Sequence, residues 1–185
     1  SHPWCNSSAV WSASSHATAS IPRTCATRGS PGSSTPRPSP AGRSSAARVR
    51  GLPGTASIAD WVRAALAGSG RGMAEITVRL VDEAESADLN KRYRGKRGAT
   101  NVLSFTYDLT PGKAGLAGDL VICAPVVQRE AAQQDKRPRA HWAHMVVHGI
   151  LHLRGYDHVH KTDAQIMETS EIRALRRLGF PDPYA

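Results

Sequence analysis

Apolar and polar positions along the chain separate into two regimes at about residue 50. Beyond it they recur with structural periods. After the Gly51-Leu52-Pro53-Gly54 punctuation, Ser57 is placed to cap a short helix. Its apolar positions Ile58, Trp61, Val62, Ala65 and Leu66 follow helical spacing, and the glycines from Gly68 to Gly72 end it. Glu75 to Val81 alternates, with Ile76, Val78 and Leu80 on one face, the pattern of a half-buried strand. A helix is predicted from Glu83 to Arg94, closing in a basic cluster of Lys91, Arg92, Arg94, Lys96 and Arg97 around Gly95 and Gly98, where helix-terminal carbonyls favour cations. Asn101 to Tyr107 and Asp119 to Cys123 read as strands separated by a glycine-rich loop. Pro125 starts a helix to about Asp135 that turns Val126, Val127 and Ala131 inward, and Lys136-Arg137-Pro138-Arg139 breaks it. A helix follows from about Arg139 to Leu153. The last helix starts at Thr162, directs Ile166, Met167, Ile172, Leu175 and Leu178 toward a core, and stops at Gly179. This order of elements predicts an α+β domain, a small mixed sheet covered by helices.

Composition sets the first regime apart. Residues 1–50 contain no Asp or Glu, but six Arg, six Pro and thirteen Ser, and no repeating apolar face. Such a segment buries too little to offset its ordering entropy. It reads as a disordered extension or as sequence upstream of the native start; a transit peptide, rich in Ser and Arg and free of acids, is the alternative. Residues 51–185 are read as the one folded domain. The whole chain carries a net charge of +9, but taking the six Arg of the extension from the 24 basic residues leaves 18 against 15 acidic ones, a net of +3 for the domain. The charge of the chain is therefore weak evidence for nucleic-acid binding by the folded part. The chain has neither a secretory-type apolar core with a small-residue cleavage site nor a run of about 18 apolar residues, so no membrane association is expected. Cys5, Cys25 and Cys123 form neither a disulfide framework nor a CxxC pair, which fits a reducing cytoplasm.

Chemistry concentrates in His148-Gly149-Ile150-Leu151-His152-Leu153-Arg154-Gly155-Tyr156-Asp157-His158. Two histidines four apart share a helical face, so their rings can converge on one ion. Gly155 can take the left-handed conformation that ends the helix and lets His158 return to the same point. Three neutral imidazoles leave a fourth tetrahedral position open, which a catalytic zinc needs in order to hold and acidify water. His144 extends the stripe, but a rise of about 1.5 Å per residue puts it roughly 12 Å along the axis from His152. One ion cannot use both. His144 is read as a pocket or structural group, His141 and His160 as solvated, and Asp157 either as partner to a ligand's free ring nitrogen or as a turn cap. The spacing is also that of the metzincin peptidases, HExxHxxGxxH, except that Gly149 stands where their glutamate accepts a proton. That leaves a zinc peptidase without its base as an alternative.

The chain resembles the YbeY family of rRNA maturation factors. His148 through His158 match its HGxLHLxGYDH without departure. Tyr93-Arg94-Gly95-Lys96 with Thr100 to Phe105 resembles its YRGKD-x-x-TNVLSF, Gly118 to Ile122 its GDIxI strand, and Pro181 to Tyr184 its C-terminal DPY. The resemblance runs from about Ile58 to Tyr184. It implies a zincin-like fold with histidine ligands on a central helix and the turn after it, and one Zn2+ per chain held by His148, His152 and His158. It also implies an endoribonuclease specific for single-stranded RNA, acting in 3′-end maturation of small-subunit (16S) ribosomal RNA and in ribosome quality control. The small ribosomal subunit and its assembly factors are the implied partners. Arg94 matches the functionally important arginine of the family, whereas Arg97 stands where the family usually carries Asp. The three histidines and Arg94 are thus the expected catalytic set. Read from its chemistry alone, Arg94 is either a solvated helix-end cation or a fork that grips phosphate. Lys91, Arg92, Lys96, Arg97 and the Lys136-Arg137-Arg139 run are candidates for attracting an RNA backbone. Tyr93, Tyr107 and Tyr156 are read as core packing before stacking surfaces. A non-enzymatic assembly factor with structural zinc is the other alternative.

Overall fold

A computed structural model describes residues 51–67, 73–107, 115–156 and 161–185. The elements are α1 (Thr55–Leu66), β1 (Met73–Val81), α2 (Glu83–Arg94), β2 (Val102–Tyr107), β3 (Gly115–Cys123), α3 (Ala124–Gln133), α4 (Pro138–Leu153) and α5 (Lys161–Arg177). The helix expected to be capped by Ser57 starts three residues earlier, behind an extended Gly54 that offers no side-chain cap; its first turn closes through the Ile58 amide on the Gly54 carbonyl. The glycine run from Gly68 to Gly72 lies outside the described residues. Helix α2 has both ends where the sequence places them. The Asp82 carboxylate accepts from the Glu85 amide at 2.9 Å, and Gly95 at φ 65° closes the other end.

The three strands form one mixed sheet in the order β1-β3-β2, with β3 parallel to β1 and antiparallel to β2. Strand β3 begins at Gly115, four residues before the expected Asp119, so part of the glycine-rich loop is strand. Packing explains it. A Cβ at Gly118 would sit 2.6 Å from the Phe105 carbonyl oxygen and 2.9 Å from a Leu153 methyl, so only glycine admits both the neighbouring strand and α4.

One sheet face carries the main core, in which Ile76, Val78 and Leu80 of β1 pack as their alternation predicts against residues of α1, α4 and α5. Helix α4 is buried all round, as a helix apolar on every side must be. The opposite face is covered by a smaller cluster of Val81, Leu103, Val121, Cys123 and Val126, with Leu89 of α2 against it. Val126, Val127 and Ala131 of α3 are buried as expected. Ile166 is not: it is 56 % exposed, because the inward stripe of α5 runs through Met167, Glu171, Ala174 and Leu175. Ile166 stands about 100° round the helix from Met167. No helix among the described residues is long and apolar enough to cross a membrane.

The crossing of α4 over the sheet depends on Gly149. A Cβ there would lie 2.1 Å from Leu120 Cδ1 and 3.2 Å from both Leu120 Cγ and Val102 Cγ2. Ser104 Oγ donates to the Gly149 carbonyl at 3.1 Å, which pins the same crossing. Gly149→Ala is expected to destabilise the domain by about 1–3 kcal/mol through overpacking, despite the better helix propensity of alanine. A denaturant midpoint at or above that of the unmodified chain would show that Leu120 yields freely.

Candidate metal centre

Helix α4 carries His141, His144, His148 and His152 along one stripe, the direct result of their 3- and 4-residue spacing. Neighbouring ring centroids are 6.4, 6.2 and 4.6 Å apart in that order, so the last two histidines form the tight pair. Their Nε2 atoms are 3.1 Å apart. The Nδ1 atoms point away from each other: that of His148 lies 2.7 Å from Glu171 Oε1, and that of His152 lies 3.0 Å from the Tyr156 carbonyl oxygen. Burial alone would raise the Glu171 carboxyl, but hydrogen bonds from His144 and His148 outweigh it and hold the group well below the usual carboxylate range. Neither a carboxylate nor a carbonyl has a proton to give. Both Nδ1 atoms must therefore donate, which leaves the two Nε2 lone pairs facing each other.

Two lone pairs at that separation require positive charge between them, a proton or a metal ion. Zinc–imidazole bonds of about 2.0–2.1 Å set at the tetrahedral angle separate two ligand nitrogens by roughly 3.4 Å, close to what His148 and His152 present. Engagement of the outer nitrogen by a carboxylate or backbone carbonyl is also how metal-bound histidines are oriented. The pair fits a metal.

Among the described residues a second arrangement has metal-holding geometry. His144, His148 and Glu171 bring ligand atoms within 4.8 Å of one another. The two arrangements share only His148, and His144 stands beside His148 rather than His152, as the helical rise requires. In the second arrangement the 2.7 Å bond between His148 Nδ1 and Glu171 already fills one edge, and His144 Nε2 is 3.5 Å from Glu171 Oε2. An ion there would have to displace that bond. Burial pushes the His144 ring below the ordinary histidine value, against the pull of Glu171.

Helix α4 gives way at Gly155, whose φ of 90° is the left-handed turn the sequence called for. The third expected ligand, His158, lies outside the described residues, together with Asp157 and His160. His141 corrects an expectation. It is buried rather than solvated, with Nε2 3.3 Å from Glu130 Oε2, because every side of α4 is covered. Asn101 Nδ2 reaches both oxygens of the same carboxylate.

Arg94 ends α2, half-buried, and burial pulls its guanidinium below the ordinary arginine value. Lys91, Arg92 and Arg97 around it are exposed, and Arg92 pairs with Asp88 at 3.2 Å. Of the second basic run, Lys136 donates to the Pro183 carbonyl at 2.7 Å and Arg139 lies over the Trp61 ring, so two of its three cations are committed within the domain. Tyr93 packs edge-on against Phe105 and Tyr156 lies under the Arg154 guanidinium. Tyr107 is not core. It ends β2 exposed, donating to Asp119 at 2.5 Å, and its hydroxyl is pushed up to about 12, first by burial and then by that carboxylate.

Glu171 and Tyr184 are the residues that sequence reasoning missed. The Tyr184 hydroxyl donates to Glu171 Oε2 and lies 3.5 Å from His144 Nε2. A signal for Glu171 was present. It is a carboxylate four residues from both Met167 and Leu175, in the middle of an apolar stripe, where an unpartnered acid would be costly.

Comparison with known proteins bears on the whole domain. A family model described as Endoribonuclease YbeY matches residues 54–179. A protein named Endoribonuclease YbeY from Methylococcus capsulatus is 54 % identical over 139 residues, 75 % of this chain and 91 % of its own length. Proteins of the same name from Alcanivorax borkumensis and Nitrosococcus oceani are 51 % and 52 % identical, each over 72 % of this chain and over 79 % and 88 % of their own. A solution structure of a protein from Thermotoga maritima aligns over 70 % of this chain and 87 % of its own at 24 % identity, with a TM-score of 0.40.

Proposed function

The chain belongs to the endoribonuclease YbeY family, and from that premise we propose that it is a zinc-dependent hydrolase that cuts phosphodiester bonds in single-stranded RNA. Its proposed task is 3′-end maturation of small-subunit ribosomal RNA and quality control of ribosomes, in the cytoplasm, with the small ribosomal subunit and its assembly factors as partners. His148, His152 and His158 are the proposed ligands of one zinc. The observation that carries this reading is the facing pair of Nε2 lone pairs on His148 and His152, each set by a partner on the opposite ring nitrogen.

Zinc, when bound, supplies Lewis acidity toward a phosphoryl oxygen or a water molecule. The remaining work falls to the chain. Glu171 and the Tyr156 carbonyl accept from the two Nδ1 atoms and hold the rings oriented with Nε2 turned inward. Arg94 offers two N–H groups to phosphoryl oxygens and neutralises charge as it builds in the transition state. The exposed cations Lys91, Arg92 and Arg97 draw in the backbone without regard to sequence. Gly149 removes the main support for the peptidase alternative, since the glutamate of that motif would have to occupy the space of Leu120.

Metal analysis paired with a cleavage assay tests the reading. About one zinc per chain is expected, with cleavage of single-stranded but not duplex RNA, abolished by a chelator and restored by zinc. Tight RNA binding without turnover by the zinc-loaded protein would overturn the enzymatic reading in favour of an assembly factor. Residues 1–50 are proposed to be dispensable, because they offer neither a core pattern nor a site residue. A chain starting at Gly51 is expected to keep its melting temperature and zinc content, and loss of either would place part of the domain upstream.

A further inference from the structure

The last four residues of the domain reach back to the histidine stripe, held by three contacts to the rest of the domain and one within the segment. Lys136 Nζ donates to the Pro183 carbonyl at 2.7 Å, the Tyr184 amide donates to Asp182 Oδ1 at 2.9 Å, Arg176 lies 3.9 Å from Asp182, and the Tyr184 hydroxyl donates to Glu171 Oε2. The other oxygen of Glu171 takes the Nδ1 proton of His148. Glu171 is 1 % exposed, so its two oxygens are committed to these neighbours rather than to bulk water. The result is a continuous chain of contacts from the α3–α4 junction, through the C-terminal tail, to one ring of the metal pair.

We propose that Glu171 and Tyr184 are positioning residues for the metal: Tyr184 fixes the carboxylate of Glu171, and Glu171 fixes the ring of His148 so that Nε2 faces the ion beside His152. The inference rests on the proposed zinc site and adds to it the element that orients one of its ligands. Glu171 is a partner of the ligand here, not a ligand. A carboxylate on the outer ring nitrogen raises the basicity of the inner one and removes the wrong tautomer, and loss of such a partner typically weakens metal binding about 10–100-fold. The tail thereby acquires a role: the tyrosine at its end is a hydroxyl donor to a buried acid, a task phenylalanine cannot perform.

The test uses the full-length protein and zinc alone, with affinity measured by competition against a chelator. Glu171→Gln keeps the shape and removes the charge, and it is expected to weaken zinc binding about 10-fold or more. Tyr184→Phe is expected to change affinity in the same direction by a smaller factor. The second readout is the His148 Nδ1–H proton in NMR spectra of the zinc-loaded protein. It is expected far downfield and slow to exchange in the unmodified chain, and shifted upfield in Glu171→Gln. A Glu171 that merely braced α5 against α4 would lower the melting temperature and leave both readouts alone. His152→Ala, a residue of the pair that lies outside the cluster of His144, His148 and Glu171, separates the two levels of inference. If it retains zinc affinity, the proposed site itself is wrong. If it loses zinc while Glu171→Gln binds zinc normally with an unmoved Nδ1–H proton, the site stands and the positioning role falls. Unchanged affinity in Tyr184→Phe would remove the tail from it.

Discussion

Alanine at His152 is expected to leave a folded chain that retains little zinc after dialysis. The same outcome is expected for His148→Ala and His158→Ala, because in the proposed site each would supply one of three imidazole nitrogens to the ion. His152 is the most informative of the three, since it belongs to the close Nε2 pair and not to the cluster of His144, His148 and Glu171. An ion in that cluster would survive His152→Ala and be lost in His144→Ala; the pair predicts the reverse. His141→Ala serves as a control. Its ring is engaged with Glu130 and lies two histidines along the stripe from the pair, so zinc content should hold while stability falls by about 1–3 kcal/mol, the usual cost of leaving a buried polar partner unmatched. Elemental analysis of zinc per chain, with a thermal melt of each variant, decides among these outcomes. Full occupancy in His158→Ala would refute the three-histidine set.

What the sequence made legible is what local geometry controls. The predicted bounds of α2, Glu83 and Arg94, hold because the groups that set them, the Asp82 cap seen in the structure and Gly95, act within one turn. The His148/His152 pair followed from a four-residue spacing that any helix converts into a shared face. The features that escaped depend on distant chain. Gly115 to Gly118 reads locally as a loop and becomes strand because β1 pairs along all of it, β2 joins at Ala117 and Gly118, and Leu153 leaves no room for a side chain at Gly118. His141 reads as a surface residue next to Arg139, yet the coverage of α4 by α1, α3, α5 and the sheet buries it. Glu171 stands 23 positions beyond His148, and only the packing of α5 on α4 joins them. Gly149 is intermediate. Its identity marked a missing base, but the reason, contact with Leu120 and Val102, needed the fold.

Arg94→Ala is expected to keep its zinc and lose most of its activity. An arginine has no acceptor lone pair with which to ligate an ion, so metal content should match the unmodified chain. The structure separates Arg94 from the exposed cations around it. Lys91, Arg92 and Arg97 sit in water, where a helix-end charge costs little and contributes little, whereas Arg94 is half-buried and its charged form is penalised by burial. A cation drawn out of water in this way interacts more strongly with an anion that reaches it, since less intervening solvent screens the pair. If that anion is the scissile phosphate, losing the guanidinium removes a donor needed most as negative charge grows, and single-turnover cleavage should fall on the order of 10²-fold or more. Lysine should rescue poorly, because an ammonium restores the charge but not the planar fork that meets two phosphoryl oxygens at once. A cation serving only the end of α2 predicts instead that alanine and lysine both cleave at full rate, with the change confined to a few tenths of a kcal/mol in stability. Single-turnover rates of the two variants at matched zinc content distinguish these cases. Cleavage by Arg94→Ala at the unmodified rate would take Arg94 out of the site and leave the metal as the sole source of charge stabilisation.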